Sequence, residues 1–418
     1  MQCVILAAGE SSRFWPLNKQ HKSLIKIMGK PLILHTIEIL RNKKIKDIVI
    51  VRGVNKDIEK ELAEYAVKLK YVVQPKLKGT GDAVSKTEKL IKENFLVVGP
   101  HKVDLDDYIS VILNKFKKNK EKIILVGTKT ATPWDFGIFD IKNGKIIKII
   151  ENPPRGKEPS LIKSSETYLF PKDFFKYYKK TSSKEDNLID TINLLIKERG
   201  AELVLLKKEP VSLKYPWHLF YFLRLILEKK IIRRHVSSSA KIGKNVVING
   251  NVFIADNVKI REGTVINGPC YIGKNCEIGA NNVLRGPVNI ENNVKTGAFF
   301  EIKNSIIEEN TTFHSGYIGD SIIGKNCNFG ADFITANLRL NRNTVSAMVK
   351  GKKIDTGLKK LGVVVGNNSR FGIKCGTMPG IFIGSSCVIG PSTTVFENIG
   401  DNTKYFAEFK NTKKKLIK

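Results

Sequence analysis

The chain has 418 residues, enough for two or three domains, and its apolar content of 42% is ordinary for a globular protein, so a large core needs no disulfide support. Its 71 Lys and Arg residues against 40 acidic residues give a net charge of +31. Most of the basic residues are Lys, spread along the whole chain without an aromatic-interleaved cluster, which indicates solvated faces and argues against a nucleic-acid-binding protein.

The termini and the cysteines exclude further classes of protein. The start, MQCVILAAG, enters an apolar strand without a basic leader or cleavage site, so no signal peptide is expected. The longest apolar segment, Trp217 to Leu227, is too short to span a bilayer. We therefore expect a cytoplasmic protein that binds no membrane. The six cysteines lack CxxC or zinc-like spacing and are expected to be buried small hydrophobes, forming neither disulfides nor a zinc site.

The N-terminal half, as far as Lys230, alternates strand-like and helix-like segments. A buried strand over Gln2 to Ala8 is followed by the Gly-Ser loop GESSRFWPL, and the later strands are IKDIVIVRG, KYVVQ, NFLVVG, KIILVGT and AELVLL. Strands that alternate with helices predict a Rossmann-like α/β domain with a mostly parallel sheet covered on both faces. Ligands of such sheets bind at the carboxyl ends of the strands, where a Gly-rich loop offers backbone N–H groups to phosphates.

Two stretches, LAAGESSRFWPLNKQHKSLIKIMGKPLI and QPKLKGTGDAV, resemble the nucleotide-sugar pyrophosphorylase family of nucleotidyltransferases. The resemblance implies that a sugar 1-phosphate attacks the α-phosphorus of UTP or dTTP, with catalysis by positioning, charge neutralisation and a divalent metal, usually Mg²⁺. It implies that Ala8 and Gly9 approach the nucleotide. Arg13 would neutralise the triphosphate, and Lys22 would steady the attacked phosphate. The residues facing the base would be Gln74, Gly79 and Thr80.

The chain departs from that family where the metal should bind. Both positions of the family's metal-binding carboxylates hold histidines, His101 after the strand FLVVG and His218 in YPWHL. Magnesium prefers oxygen ligands, whereas imidazole suits zinc and other transition metals. Other family residues of the pocket are replaced by Ser11, Asn152, Ser164 and Glu166. These losses favour a nucleotidyltransferase-like domain kept for folding or ligand binding, and leave a working or metal-switched enzyme open.

A hexapeptide repeat begins at Ile242, where an aliphatic residue recurs at every sixth position as far as Ile290. Further six-residue registers run through Tyr317, Ile323 and Phe329, and through Val365, Phe371, Thr377, Ile383, Ile389 and Val395. Each such residue is predicted to point into a stacked prism-like core with small residues at its corners. The repeat resembles the left-handed parallel β-helix of the hexapeptide transferases, which generally form trimers with active sites between neighbouring prisms. The expected boundaries are 1–232 for the nucleotidyltransferase-like domain, 233–400 for the β-helix and 401–418 for a basic tail.

Polar side chains that interrupt the repeat provide the second candidate site. An imidazole, whose ordinary pKa is about 6.5, is suited to positioning an amine and removing its proton. Directly after Asn337 the repeat is interrupted by a basic insertion, 338–361. The insertion is long enough to reach a neighbouring chain as a hairpin-like arm. The interrupting residues are Arg285, Lys303, His314 and Tyr317 of the motif HSGY, Asn328 and Asn337.

This ordered set resembles the acetyltransferase half of the bifunctional family that makes UDP-N-acetylglucosamine, in the archaeal-type versions that carry the insertion. The resemblance covers the β-helix half and implies acetyl transfer from acetyl-CoA to glucosamine 1-phosphate, with His314 as the general base. It also implies that the phosphate lies against Arg285 and Lys303, and the sugar with its amine against Tyr317, Asn328 and Asn337.

The leading interpretation is therefore an acetyl-CoA-dependent hexosamine-phosphate N-acetyltransferase, forming a homotrimer and joined to a nucleotidyltransferase-like domain of doubtful activity. One alternative is a fully bifunctional enzyme, or a nucleotidylyltransferase whose β-helix serves only for trimerisation. His101 and His218 weigh against the latter. Another alternative is a non-catalytic regulatory or assembly subunit, as in translation-factor exchange complexes. HSGY and its Asn partners weigh against that class, because a scaffold does not need them.

Overall fold

The computed structural model describes residues 1–181, 187–410 and 412–413. Two compact units account for the chain. The first is formed by residues 1–10, 20–25 and 30–212, and the second by residues 11–19, 26–29 and everything from 213 onward.

The first unit is built on a nine-stranded sheet, and the predicted α/β class is confirmed. Along the main path the strand order is β9-β5-β8-β4-β1-β2-β3, and the hairpin β6–β7 is attached to β8. The pairs β1–β2, β1–β4, β2–β3 and β5–β9 are parallel, as predicted. The strands are β1 (Gln2–Ala7), β2 (Ile48–Arg52), β3 (Lys70–Val73), β4 (Phe95–Val98), β5 (Ile123–Lys129), β6 (Gly137–Lys142), β7 (Lys145–Glu151), β8 (Ile162–Phe170) and β9 (Ala201–Leu206).

Three strands of this sheet, β6, β7 and β8, were not predicted from the sequence, and β8 is the one that enters the main path of the sheet. It runs antiparallel between β4 and β5, and its register shifts between Ser164 and Tyr168. Its polar first half, IKSSE, lacks the continuous apolar run that marked the other strands. Glu166 lies in that irregular part with a left-handed φ of 46°. A polar and irregular strand of this kind gives no period-2 pattern to detect.

Helices cover both faces of this sheet. The side chains of β1 alternate, so that Cys3 and Ile5 pack with α1, α2 and α4 while Val4 packs with α3, α5 and α6. No described helix combines the length and the apolar content that a membrane span requires. The helices are α1 (Leu32–Asn42), α2 (Asp57–Ala63), α3 (Thr80–Ser85), α4 (Ile109–Lys118), α5 (Phe174–Thr181) and α6 (Leu188–Arg199). The short elements are the 3-10 helices Lys22–Leu24, Leu105–Asp107 and Pro133–Asp135 and the strand Lys30–Pro31.

The second unit is a parallel β-helix with three faces, as the hexapeptide repeat predicted. The first face contains His235–Val236, Val252–Ile254, Cys270–Ile272, Val288–Ile290, Ile306–Ile307, Ile322–Ile323, Val363–Val365 and Ile381–Ile383. The second contains Lys241–Ile242, Lys259–Ile260, Glu277–Ile278, Lys295–Thr296, Thr312–Phe313, Asn328–Phe329, Arg370–Phe371, Val388–Ile389 and Lys404–Tyr405. The third contains Val247–Asn249, Val265–Asn267, Val283–Arg285, Phe300–Lys303, Gly316–Gly319, Phe333–Thr335, Gly376–Thr377 and Thr394–Val395.

The predicted inward residues fill the core of this β-helix, with two exceptions. Ile254 to Ile290 and Val365 to Val395 are buried at every sixth position, and Ile248 packs partly buried against this core, but Ile242 is 41% exposed because its strand is the first of its face. The prediction is wrong at Tyr317, since Ile318 is the buried residue and Tyr317 points outward, whereas Ile323 and Phe329 of the same predicted register are buried. The cause is a shorter coil, because the sequence separation between Ile302 and its partner Ile318 is smaller than that between Val252 and its partner Cys270.

The β-helix also contains five of the chain's cysteines and carries an asparagine ladder at one corner. The six cysteines of the chain are all buried, and burial raises the pKa of Cys270, Cys276 and Cys327 to about 12, as expected for thiols that act as small hydrophobes. One corner carries asparagines with φ near +60°, a conformation that Asn tolerates, and each amide donates to the next along the stack. This ladder comprises Asn257, Asn275, Asn293, Asn310, Asn326 and Asn368.

The limits of the second unit differ from the expected boundary at 232/233. The 3-10 helices Ser12–Phe14 and Pro216–His218, the strand Lys26–Ile27 and the helix α7 (Leu219–Lys230) belong to it. The reason is aromatic packing, since the rings of Trp15 and Trp217 lie 6.3 and 6.2 Å from that of Phe382. The strand Lys404–Tyr405 continues the stack beyond residue 400. Of the expected basic tail, 401–418, the residues 411 and 414–418 lie outside the described residues.

The insertion 338–361 forms the predicted hairpin. The strands Ser346–Val349 and Lys352–Asp355 pair antiparallel, and a bridge between Leu338 and Lys360 closes the base. Val345 and Ala347 are buried, so the hairpin packs on the β-helix along one side.

Buried carboxylates hold the segment Lys26–Gly29 on the β-helix. Gly29 N donates to Glu291 Oε1 at 3.1 Å, and Lys26 N donates to Glu308 Oε1 at 3.3 Å. The ammonium of Lys26 lies 2.9 Å from Glu309. Burial raises the pKa of Glu291 to about 7, and burial together with the nearby charge of Glu291 raises the pKa of Glu308 to about 8. These groups therefore hold protons in the folded state at a pH where an unfolded chain would release them.

Stability should fall as the pH rises from about 4.5 towards 8, the interval between the ordinary and the raised pKa of Glu308. Between those values the native state binds more protons than the unfolded state, which costs roughly 1.4 kcal/mol per pH unit for each such group. Glu308→Gln keeps an acceptor for Lys26 N but removes the titration. Its loss of melting temperature between about pH 6 and about pH 9 should be smaller than that of the wild type. The exposed Glu262→Gln is the control. An identical loss in Glu308→Gln and wild type would contradict this prediction.

Candidate active sites

A cavity of about 410 Å³ opens at the carboxyl ends of β1, β3 and β4 in the first unit. Loops that follow these strands supply its lining, which is where a parallel sheet places ligands. Arg13 and His218, predicted for this site, are not among its lining residues, and both lie in 3-10 helices of the second unit. The cavity brings together the other predicted residues of this domain, Ala8, Gly9, Lys22, Gln74, Gly79, Thr80 and His101.

The side chain of Gln74 is held in one orientation. Its Nε2 donates to Gly79 O at 3.0 Å and to Asp82 Oδ2 at 2.9 Å, so both N–H donors are committed. The amide oxygen is then the atom left to meet a ligand, and it can accept a hydrogen bond. Gly79 has φ of 90°, which favours glycine, and it leads directly into α3 at Thr80.

Two neutral histidines flank Lys22 in this cavity. His21, which sequence reasoning missed because nothing around it marks it as polar lining, has Nδ1 2.7 Å from Ser23 Oγ. Burial lowers the pKa of His21 to about 4, with a further contribution from the charge of Lys22. Burial and the charge of Lys22 also hold the pKa of His101 well below its ordinary value. Near neutral pH, Lys22 therefore supplies the positive charge among the lining residues.

The donor atoms around this cavity do not fit magnesium. His101 offers a neutral imidazole at the position of a family carboxylate, and the carboxylate among the lining residues is Glu166. Within the described ranges, no group of three or more His, Cys, Asp or Glu side chains is arranged to hold a metal ion. Magnesium needs several oxygen ligands in octahedral geometry. No chemical step is therefore assigned to a metal here.

A second cavity of about 580 Å³ adjoins the first, since Thr80, Glu166 and Tyr168 line both. It contains three of the substitutions noted from the sequence, Asn152, Ser164 and Glu166. Glu166 keeps the left-handed backbone that suits a glycine but adds a carboxylate. Because the described lining includes no Lys or Arg, a phosphorylated ligand that enters must keep its phosphate towards Lys22. The lining carboxylates are Asp135, Glu151, Glu166 and Asp190.

On the β-helix, the predicted cations and Tyr317 share the third face. Arg285, Lys303 and Gly319 occupy equivalent positions on successive coils, and Tyr317 lies beside Glu301 in the neighbouring register. The guanidinium of Arg285 forms an ion pair with Glu301.

A buried carboxylate, Asp320, connects these residues. The ammonium of Lys303 lies 3.0 Å from Asp320 Oδ2, and Asn337 Nδ2 donates to the same oxygen at 2.6 Å. Asn337 Nδ2 also donates to the Tyr317 hydroxyl at 3.1 Å. Asn304 Nδ2 donates to Asp320 Oδ1 at 2.7 Å. The structure therefore joins three of the predicted residues, Lys303, Tyr317 and Asn337, in one hydrogen-bond network.

His314 is exposed at the corner between the second and third faces. Its backbone is fixed on both sides, since His314 N donates to Phe329 O at 3.0 Å and the preceding Phe313 stacks on Phe329 with ring centroids 4.7 Å apart. The equivalent corners of the adjacent coils are Gly297 and Gly330, which bear no side chains beside the imidazole. Such a corner can present an imidazole to a ligand.

Asn328 lies apart from the Asp320 network. It is exposed on the second face, where it pairs with Thr312 and Arg370 in the stack. Within one chain, Asn328 therefore lies on a different face of the β-helix from Tyr317.

Sequence reasoning missed Asp320 and Asn304. A signal was present, because both occupy a corner position that is Gly286 on the coil before and Gly362 on the coil after. An acid at a corner position otherwise held by small residues is unusual and marks a special contact.

Models of two kinds of family match the chain. The nucleotidyl transferase family matches residues 2–210. The bacterial transferase hexapeptide family matches residues 251–286, and the hexapeptide repeat of succinyl-transferase matches residues 362–391.

Curated relatives match almost from end to end. The bifunctional protein GlmU of Methanocaldococcus jannaschii is 34% identical over 408 residues, covering 96% of this chain and 97% of that protein. The protein of the same name from Methanococcus maripaludis is 38% identical, with 96% of each chain covered. A bifunctional sugar-1-phosphate nucleotidylyltransferase/acetyltransferase of Sulfurisphaera tokodaii is 34% identical, covering 96% and 98%. These matches span both units, so they give no support to an inactive first domain.

Proposed function

The chain belongs to the family of bifunctional sugar-1-phosphate nucleotidylyltransferase/acetyltransferases, and on that premise we propose that its β-helix acetylates glucosamine 1-phosphate with acetyl-CoA. The observation that carries the proposal is the network of Lys303, Asp320, Asn337 and Tyr317 on the face next to the corner that bears His314. It combines a cation for a phosphate, polar groups for a sugar and an imidazole for an amine proton.

In the proposed reaction the amine nitrogen of the sugar attacks the thioester carbon. The N–C bond forms, and the imidazole of His314 takes the amine proton. Collapse of the tetrahedral intermediate breaks the C–S bond, and the CoA thiolate leaves and regains a proton. Lys303 and Arg285 face the phosphate, which fixes the sugar so that its amine is held near the imidazole.

A second activity is proposed for the first unit, where the cavity of about 410 Å³ would bind a pyrimidine nucleoside triphosphate such as UTP or dTTP. The amide oxygen of Gln74 can accept the imide N–H that uracil and thymine share. Lys22 would neutralise charge at the α-phosphate while the sugar 1-phosphate attacks and pyrophosphate leaves. Together the two activities would make a nucleotide-activated N-acetylhexosamine.

We also propose a homotrimer with each acetyltransferase site between neighbouring chains. Asn328 supports this arrangement, because it would serve the site of a neighbour from the second face. The hairpin 346–355 is another element that could contact a neighbour.

The test is release of CoA thiol from acetyl-CoA in the presence of glucosamine 1-phosphate. We expect sugar-dependent release, with galactosamine 1-phosphate as a second acceptor and N-acetylglucosamine 1-phosphate as the unreactive control, since its nitrogen is already acylated. Thiol release that is equal with and without every hexosamine phosphate would refute the proposed function.

A further inference from the structure

Asp320 lies in a buried position, where its carboxylate needs hydrogen-bond donors from neighbouring residues. It is 4% exposed and lies at a corner with a left-handed φ of 51°, enclosed by Gly362 of the next coil, whose N donates to Asp320 O at 2.8 Å. A carboxylate in such a place is stable only when donors surround it. Lys303, Asn304 and Asn337 supply these donors.

The carboxylate fixes the direction of every hydrogen bond around it. An ionised carboxylate only accepts, so the amide of Asn337 must turn its Nδ2 inward to Asp320 and Tyr317. Its Oδ1 is then the atom presented to a ligand, and it accepts. The Tyr317 hydroxyl accepts from Asn337 and can donate its own hydrogen outward. Lys303 gives one N–H to Asp320 and keeps two for a ligand.

We propose that Asp320 is a positioning residue of the acetyltransferase site, which sets Asn337 as an acceptor for the sugar amine and holds the Lys303 ammonium in place for the sugar phosphate. This inference rests on the proposed acetyl transfer. Asp320 acts through Asn337 and Lys303 and touches no reacting atom.

The variant Asp320→Asn tests this role with little change of shape, and Asn tolerates the left-handed backbone. An amide has one accepting oxygen and one donating nitrogen, so it cannot accept on both sides, and either Asn304 or the pair Lys303 and Asn337 then meets a donor. We expect KM for glucosamine 1-phosphate to rise roughly tenfold or more. The KM for acetyl-CoA should stay unchanged, and kcat should change less than KM for the sugar, which a general loss of structure would not produce.

A matched control removes a similar ion pair elsewhere on the β-helix. Arg261 Nη2 lies 2.7 Å from Glu277 Oε1, on an exposed face. Glu277→Gln should leave KM for both substrates as in the wild type.

A second variant decides the matter if Asp320→Asn does not fold. Asn304→Gly keeps the left-handed backbone, removes the donor to Asp320 Oδ1 and lets the carboxylate rotate, so KM for the sugar should rise about threefold. A wild-type KM for the sugar in both folded variants, or in Asn304→Gly alone if Asp320→Asn is unfolded, would overturn the role of Asp320 while acetyl transfer stands. A wild-type protein that transfers no acetyl group would instead overturn the proposed function, and this inference with it.

Discussion

Replacing His314 by Ala should lower kcat for acetyl transfer by about 10²- to 10⁴-fold, the usual contribution of a positioned general base. The amine of an amino sugar is mostly protonated near neutral pH, and without the imidazole no described side chain of this corner takes its proton. Nucleotidyl transfer should be unchanged, because His314 lies in the second unit. The measurement is initial-rate thiol release at saturating acetyl-CoA for the wild type and His314→Ala.

The matched control is His235→Ala. His235 is also exposed on the β-helix, where its ring stacks on Phe253 with centroids 4.4 Å apart. It should retain the wild-type rate. Full acetyl transfer in a folded His314→Ala variant would show that the base has been assigned to the wrong residue.

Replacing Lys22 by Met should lower the rate of nucleotidyl transfer by about 10²- to 10³-fold, as expected when one charge-stabilising group is removed from a transition state. His21 and His101 are not expected to compensate, because burial, the larger cause, still lowers the pKa of both imidazoles when the charge of Lys22 is removed. Pyrophosphate release from UTP or dTTP with a sugar 1-phosphate should be measured in magnesium and, separately, in zinc. Acetyl transfer should be unaffected.

Lys44→Met, an exposed lysine of the same unit, is the control for a change of charge alone. A Lys22→Met variant with the wild-type rate of pyrophosphate release would contradict the role given to Lys22. The assays in magnesium and in zinc test whether His101 binds a metal. Higher activity in zinc than in magnesium would agree with an imidazole ligand at the position of the family's carboxylate.

The sequence was most informative where one period repeats. The spacing of six identified the β-helix and most of its core, because each coil buries the same positions. It failed at Tyr317, where the coil is shorter than the regular ones and Ile318 enters the core. The candidate residues Lys303, His314 and Tyr317 lie near the shortened coil, so a register extrapolated from the regular coils turns the wrong side chain inward there.

From the sequence, the residues of the candidate sites could be predicted by their type and their order along the chain, but their contacts could not. Lys303, Tyr317 and Asn337 were identified in that way, but the carboxylate that joins them was not, since nothing in a linear pattern shows which donors converge on Asp320. Contacts between coils join residues 16 or 17 positions apart, which no local pattern reports. His21 was missed for a related reason. Its low pKa results from burial in the folded protein and from the charge of Lys22, and burial cannot be read from the sequence.

The acidic lining of the cavity of about 580 Å³ concerns whether the first unit is an active nucleotidyltransferase. The substitutions at Asn152 and Glu166 favour a domain kept for folding or ligand binding, and both residues line a cavity whose described lining has carboxylates but no Lys or Arg. The relatives that match from end to end are named as bifunctional proteins and give no support to an inactive first domain. The rate measured for wild-type pyrophosphate release will decide between these views.

We propose that the segment Phe313–Asn337 holds the acetyltransferase site. A crystal structure of the protein with CoA and glucosamine 1-phosphate tests it most directly. We expect the sugar amine to lie within hydrogen-bond distance of the His314 imidazole, the phosphate against Lys303 and the Oδ1 of Asn337 facing the amine. A sugar phosphate bound elsewhere, with His314 and Lys303 facing solvent, would contradict it.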